Sequence, residues 1–267
     1  MKAIIVAAGR GRRLGTETDA IPKCMVNVTG RAILHHQLDA LAAAGVDDFV
    51  VVRGYRGDLI APPPGGPALR FVDNPEWAEN NILTSLFFAE HEMREGFLFS
   101  YSDIVFAPEH ARALVAASAR GTAATPAPVT LVIDRRWREA YDGRTLHPVS
   151  EAELARVDRD GAGATVTRVG KRLVSAEEAA GEFIGLARFS ADGAAALTAV
   201  WKQARAAGRR KPFGAAATLD QAYLSDGLNA LVARGTPLRP LFIDGRWREI
   251  DTEEDLARAE AAIPTWT

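Results

Sequence analysis

MKAIIVAAGRGRRLGTETDAIPKCMVNVTGRAIL, residues Met1–Leu34, is the stretch whose reading decides the fold. Ala3–Ala7 is apolar at nearly every position, as a strand buried on both faces must be. The run breaks into a loop rich in glycine and arginine, Ala8 to Ile21, followed by Pro22-Lys23. From Arg31 to Ala44, Ile33, Leu34, Leu38 and Leu41 recur at helical spacing, and Gly45 closes the helix where a left-handed residue is needed. Asp48–Val52 (DFVVV) reads as the next strand. The opening is therefore a βαβ unit with parallel pairing.

The loop has the makings of a polyphosphate cradle. Gly9 and Gly11 let the backbone approach a ligand and permit positive φ. Successive amide hydrogens then point into a concavity that suits phosphate, and Arg10, Arg13 and Lys23 supply positive charge. An ordinary βα turn with solvated arginines fits the loop by itself equally well. Two sharper templates fail: there is no GxxxxGK[ST], and Gly9-Arg10-Gly11-Arg12-Arg13-Leu14 lacks the third glycine of a dinucleotide fingerprint. An NAD-dependent oxidoreductase is excluded on that ground and by Val52-Arg53-Gly54, where an acid is required.

Further along, Leu69–Val72 and Gly96–Ser100 read as strands, with helices expected over Ile82–Met93 and Pro108–Ala119 and a strand over Val129–Ile133. This alternation predicts an α/β fold, a three-layer doubly wound sheet. From Asp134 the texture changes. Asp134–Glu153 is rich in charge and aromatics, and Leu154–Val174 falls into short pieces with turns at Gly161, Gly163 and Gly170, as antiparallel hairpins do. Glu182–Phe189 is a strand, helices are expected over Asp192–Ala207 and Leu219–Ala233, Leu238–Ile243 is a late strand, and Thr252–Ile263 is a capped helix. One domain over residues 1–267, with an antiparallel insertion over about 134–189, accounts for this order.

Bulk properties narrow the function. The 267 residues are 48% hydrophobic, ample for a full core. A net charge of −2 gives no global basic field for nucleic acid. Cys24, the single cysteine, excludes an internal disulfide and a cysteine metal cluster. The opening apolar run is too short for a signal peptide, and no stretch approaches the ~18 residues of a membrane span. A cytoplasmic protein that engages neither nucleic acid nor membrane is expected.

Ala7-Ala8-Gly9-x-Gly11-x-Arg13-Leu14 with Pro22-Lys23 resembles the signature of the sugar-phosphate nucleotidylyltransferases, a Rossmann-like family that activates phosphorylated small molecules with nucleoside triphosphates. Asn80-Asn81-Ile82-x-x-Ser85-Leu86, the strand end at Asp103, Trp137, Tyr141, Arg144 with Pro148 and Glu151-Ala152-Glu153, Gly181-Glu182-Phe183-Ile184-Gly185, and Trp247-x-Glu249-Ile250-Asp251-Thr252 are similar to the branch that contains the phosphocholine and 2-aminoethylphosphonate cytidylyltransferases. The resemblance implies a mixed Rossmann-like sheet and transfer of CMP from CTP to a small phosphorylated or phosphonate amine or alcohol, with loss of pyrophosphate. It implies Lys23 bridging the acceptor phosphate and the α-phosphate, and Arg13 on the β- and γ-phosphates. Ala7, Ala8, Gly9, Arg10 and Gly11 would surround the nucleotide, with Asn81, Thr84, Ser85 and Ser102 on the base side. Asp103 and Asp251 match a magnesium pair, and oxygen ligands at strand ends suit Mg²⁺; Ser102 and Ile104 leave Asp103 without the second aspartate some relatives carry. Related enzymes are often homodimers, and the oligomeric state is open.

The acceptor is expected between Asp134 and Glu182. Trp137, Tyr141 and Phe183 offer aromatic faces, and Asp134, Glu151, Glu153 and Glu182 offer anions, a combination that suits a cationic head group. The alternative is that Trp137 and Tyr141 form the packed face of a short helix. Arg144 faces either an acceptor phosphate or a neighbouring glutamate. A sugar-1-phosphate nucleotidylyltransferase using UTP or dTTP, and a non-catalytic nucleotide-binding regulator, are the competing functions. The joint presence of Arg13, Lys23, Asp103 and Asp251 weighs against the regulator.

Overall fold

A computed structural model describes residues 1–117, 127–160 and 163–266 of the chain. Strand β1 (Lys2–Ala7) leads through the glycine loop and a single turn, α1 (Glu17–Ala20), to the two-residue strands β2 (Asn27–Val28) and β3 (Arg31–Ala32) and helix α2 (Ile33–Ala42). Next come β4 (Asp48–Arg53), β5 (Leu69–Asp73), α3 (Ile82–Phe88), β6 (Phe97–Tyr101), β7 (Ile104–Phe106) and α4 (Pro108–Ala116). The middle of the chain holds β8 (Val129–Asp134), α5 (Trp137–Tyr141), β9 (Glu153–Asp160), β10 (Gly163–Lys171) and β11 (Gly181–Phe189). It closes with α6 (Ala191–Ala207), α7 (Leu224–Ala233), β12 (Leu238–Ile243), β13 (Trp247–Glu249) and α8 (Glu253–Ala262).

Alternation along β1 sets the layers. Ile4 and Val6 enter a core built with Leu83 and Leu86 of α3, Leu197 and Trp201 of α6 and Leu228 of α7. Ala3, Ile5 and Ala7 face the other way, onto Leu34, Leu38 and Leu41 of α2 and Leu114 of α4. A strand covered on both faces carries side chains of period two into two cores, which is why this run is apolar throughout. The central sheet runs β10-β9-β11-β6-β1-β4-β5, with β8 against β11 and β12 against β8. β6, β1, β4 and β5 are parallel. β11 is antiparallel to both β6 and β8, and β12 parallel to β8. The sheet is thus mixed and helix-covered, as the sequence predicts.

Two devices position the site. Leu14 is fully buried in a small apolar cluster with Val26, Ile33, Val105, Ile250 and Ala259; pinning Leu14 and Ile250 together brings their neighbours Arg13 and Asp251 to one place. The β7–β13 ribbon does the same for the acids: it pairs Ile104 with Glu249, and the Ile250 amide donates to the Asp103 carbonyl at 2.8 Å.

Some boundaries differ from expectation. Leu219–Ala233 splits into a 3-10 turn, Leu219–Gln221, and α7, because the Tyr223 amide donates to the Asp226 carboxylate and opens a new helix there. The helix expected over Ile82–Met93 stops at Phe88 and continues as a 3-10 turn over Glu90–Glu92. The end of the helix expected over Pro108–Ala119 and the turn at Gly161 lie outside the described residues. Among the described residues no helix is long and apolar enough to cross a membrane.

Candidate active site

A cleft of about 290 Å³ lies where the glycine loop, the β7–β13 ribbon and the antiparallel insertion meet. One wall carries Ala7, Gly9, Gly11, Arg13, Lys23, Asn81, Ser102, Asp103 and Asp251. The other carries Glu151, Glu153, Lys171 and Glu182, with Tyr101, Phe183, Tyr223 and Glu249. Ligands of open α/β sheets bind at such a crevice beyond the strand ends.

The centre is an ion-pair chain. Lys23, only 7% exposed, donates from Nζ to Asp103 Oδ2 at 2.7 Å and also to Asp251 Oδ1. Arg13 Nη2 lies 2.5 Å from Asp251 Oδ2. Burial pulls the Lys23 ammonium down, but Asp103 and Asp251 outweigh it and hold it well above its ordinary value. Burial pushes the Asp251 carboxyl up, and Lys23 and Arg13 more than reverse this, so it stays ionised far into acid. Glu249 is driven strongly upward by burial and by Asp251 and Asp103, which favours its neutral form.

Beneath the chain, His147 is fully buried. Its Nδ1 accepts from Arg144 Nη2 at 2.9 Å, since a guanidinium can only donate. The ring lies 3.6 Å from both Asp251 and Asp255. Among the described residues His147, Glu249 and Asp251 bring possible ligand atoms within 4.8 Å of one another, and Asp103 adds a buried Oδ1 with no hydrogen-bond partner.

The structure places the sequence-derived candidates unevenly. Arg13, Lys23, Asp103 and Asp251 come together, and Ala7, Gly9, Gly11, Asn81 and Ser102 line the cleft beside them. Ala8 lies outside the lining, its carbonyl accepting the Tyr55 amide at 2.9 Å. Arg10 turns away to Asp19 at 3.1 Å and lies over the Tyr55 ring. Thr84 and Ser85 are buried behind the wall: the Thr84 hydroxyl donates to the Leu219 carbonyl and the Ser85 hydroxyl to Asn80.

Of the residues expected on the acceptor side, Glu151, Glu153, Glu182 and Phe183 line the cleft. Trp137 and Tyr141 pack with Ala152, Leu154 and Val174 in the insertion's own core, and neither ring lines the cleft. Tyr141 still reaches the site through its hydroxyl, which donates to Glu182 at 2.7 Å. Asp134 is consumed by the fold, accepting from the Arg136 and Gly245 amides and from Trp247 Nε1 at 2.8–2.9 Å. Arg144 donates to Asp255 at 2.6 Å and lies over the Tyr141 ring. These four support the wall from behind.

Sequence reasoning missed Lys171, Tyr101, Tyr223 and Glu249. Lys171 donates to Glu151 at 3.2 Å and sits 5.0 Å from the Tyr223 ring centroid. Burial lowers its ammonium, but Tyr223 and the surrounding glutamates outweigh this and raise it. Lys171 pairs with Glu153 across the β9–β10 hairpin, and that register is not readable from sequence because it shifts between Val166 and Arg168. Glu249 had a usable signal: it stands two residues before Asp251, the spacing that repeats a face in extended chain.

Known proteins resemble this chain in sequence and fold. CTP:phosphoglutamine cytidylyltransferase of Campylobacter jejuni is 26% identical over 263 residues, 96% of this chain and 98% of that protein. 2-Aminoethylphosphonate cytidylyltransferase of Lancefieldella rimae is 34% identical over 110 residues, 40% of this chain and 45% of that protein. The solved structure of CTP:phosphocholine cytidylyltransferase from Streptococcus pneumoniae superposes with a TM-score of 0.71 at 18% identity, covering 98% of each chain, and shares the fold. A model of the MobA-like NTP transferase domain matches residues 3–207, in agreement with the motif read from the glycine loop, and the chain belongs to that nucleotidyltransferase family.

Proposed function

We propose that the chain transfers CMP from CTP to a small phosphorylated or phosphonate amine or alcohol and releases pyrophosphate. The observation that carries this reading is the convergence of Lys23, Arg13, Asp103 and Asp251 at one side of a cleft whose other side is the acidic insertion. Relatives named for CTP and for phosphorylated or phosphonate substrates support it.

An acceptor oxygen, already ionised, attacks the α-phosphorus of the nucleotide. The new O–P bond forms as the α–β bridging P–O bond breaks, and the electron pair leaves on pyrophosphate. No general base is needed, so the chain's work is positioning and charge. Gly9 and Gly11 let backbone amides approach the phosphates. Lys23 spans the acceptor phosphate and the α-phosphate, and Arg13 takes the leaving pyrophosphate. Asn81 and Ser102 border the base, and Glu153 and Glu182 the acceptor head group.

The residues present also fit a magnesium ion. Asp103 offers a buried Oδ1 without a hydrogen-bond partner and Asp251 a second carboxylate, and such hard oxygens are what Mg²⁺ prefers. Asp103 and Asp251 would hold it, and it would add neutralisation of the phosphate charge.

Pyrophosphate release tests the reading. CTP, UTP, dTTP, ATP and GTP are each paired with phosphocholine, phosphoethanolamine, 2-aminoethylphosphonate and hexose 1-phosphates in Mg²⁺. Turnover is expected with CTP and an amine or alcohol phosphate or phosphonate. Turnover confined to a hexose 1-phosphate with UTP or dTTP would overturn the proposal.

A further inference from the structure

We infer that the acceptor's head group is a primary ammonium, gripped by Glu153 and Glu182 through its N–H donors, and not an N-methylated one. The inference rests on the transfer reading above and narrows its acceptor.

Both carboxyl groups are almost wholly buried, Glu153 at 6% and Glu182 at 3% exposure, and both line the cleft. Each has one oxygen satisfied by a phenol: Tyr101 donates to Glu153 Oε1 at 2.9 Å and Tyr141 to Glu182 Oε1 at 2.7 Å. The second oxygen of each, Oε2, is buried with no partner. Buried polar atoms left unpaired are costly and rare, so each calls for a partner from outside the fold. β9 and β11 are neighbours, with Leu154 opposite Glu182; both carboxyl groups reach the same cleft, near enough for Glu153 to help push the Glu182 carboxyl up.

Charge separates an ammonium from a hydroxyl. Lys23 and Arg13 answer Asp103 and Asp251, and Lys171 answers Glu151. Among the described residues neither Glu153 nor Glu182 makes an ion pair, and their hydrogen-bond partners are neutral hydroxyls. Lys171 and Arg144 act on them only from beyond ion-pair distance, so a neutral head group would leave both without a counter-charge in contact. Hydrogen bonding separates a primary from a quaternary ammonium. A trimethylammonium has no N–H for the two free oxygens and depends on aromatic faces instead. Trp137 and Tyr141 are packed into the insertion's core, and two rings of the cleft itself, Tyr101 and the 2% exposed Phe183, are packed edge-on against each other, with Phe99 on Tyr101. The Tyr223 face already carries Lys171.

A series of equal length tests this: phosphoethanolamine, its mono-, di- and trimethyl forms, and 2-hydroxyethyl phosphate, each with CTP and Mg²⁺. kcat/KM is expected to fall stepwise with methylation, by about 100-fold or more to the trimethyl form, because a site built to bond an N–H rejects the analogue that lacks it. The hydroxyl analogue should fall similarly. Glu182→Gln keeps size and shape; it should lower kcat/KM for phosphoethanolamine at least about tenfold and compress the ordering, with KM for CTP little changed. A trimethyl or hydroxyl acceptor as good as the primary amine would overturn the inference, as would an unchanged ordering in both Glu182→Gln and Glu153→Gln. Calorimetric binding of the same series to the full chain separates this from the transfer reading. The same order of affinities without turnover would sink the transfer reading and keep the head-group assignment. No order, or no binding by any member, would sink the assignment.

Discussion

Gly11 and Lys23 are stacked so closely that a Cβ on Gly11 would lie 2.8 Å from Cβ and Cδ of the lysine. Gly11 also sits at φ +71°, where an L side chain is strained by roughly 1–2 kcal/mol. The lysine cannot retreat without releasing Asp103 and Asp251, because its stem, not its tip, is what the new atom would strike. Gly11→Ala is therefore expected to lower kcat/KM by about 100-fold, at a cost of about 1–3 kcal/mol in stability. Steady-state rates and urea denaturation measure the two effects. Wild-type rates would show that the Lys23 position does not matter to the chemistry.

Removing the ammonium tests the same centre from the other side. In Lys23→Met the Asp103 and Asp251 carboxylates lose the charge between them, and only Arg13 remains on Asp251. Stability should drop by about 2–3 kcal/mol, below the 3–5 typical of a stranded buried partner because of that arginine. Transfer should drop about 1,000-fold. The acid limb of the pH–stability curve should flatten as well. Asp251 is held below its ordinary value, so its contribution is present above the unfolded value near ~4 and is lost as pH falls through the folded one. Without Lys23 that loss should shrink. Denaturation midpoints at several pH values below about 5 read the change.

The opening βαβ unit was legible because its signals are local: a fully apolar strand, a glycine loop and a helical period. The sheet order was not. That β11 runs antiparallel between β6 and β8 depends on pairings between distant segments, and sequence periodicity is blind to them. The same division holds at the site. Arg13 and Lys23 are marked by the loop motif, and the structure brings Asp103 and Asp251 to them. Thr84 and Ser85 lie on the helix whose start borders the cleft but turn into the protein, a matter of one helical face against another. The spacing of four residues between Trp137 and Tyr141 serves the insertion's core, the outcome that composition alone left open.

Gly185 makes room for Tyr101 on one wall of the cleft. A Cβ there would lie 2.2 Å from the Tyr101 ring, at a φ of +83°. Tyr101 cannot yield freely, since its hydroxyl holds Glu153 and its ring packs edge-on to Phe99 and Phe183. Gly185→Ala should destabilise the protein by about 3 kcal/mol, combining backbone strain with overpacking. Urea unfolding gives the value; a loss under about 0.5 kcal/mol would mean that Tyr101 is not fixed.

Trp137→Phe distinguishes packing from acceptor contact. The indole is 2% exposed and its Nε1 has no hydrogen-bond partner, so the substitution removes volume and breaks no bond. A cost of about 1–2 kcal/mol is expected, within the range of partial core truncations. KM for the acceptor should stay within about twofold, as a packed ring behind the wall requires. A tenfold rise in acceptor KM with unchanged stability would place the indole against the acceptor.

Burial pushes the Glu182 carboxyl up to about 8, against the pull of Tyr141 and Arg144. At neutral pH the folded chain thus keeps a proton that the unfolded chain, titrating near ~4.3, has lost. More protons are bound by the folded state between those values, so the contribution of Glu182 to stability declines as pH rises through that window. Glu182→Gln should flatten this decline: relative to wild type, its Tm should gain between about pH 5 and pH 8. The proton also stands where an ammonium would supply the missing charge. Binding of phosphoethanolamine at pH 7 should then expel up to about one proton, as the cation stabilises the carboxylate. Calorimetry in buffers of different ionisation enthalpy counts it, and Glu182→Gln should abolish it. Binding with no proton released in either protein would show that Glu182 is already ionised, or that the ammonium sits elsewhere.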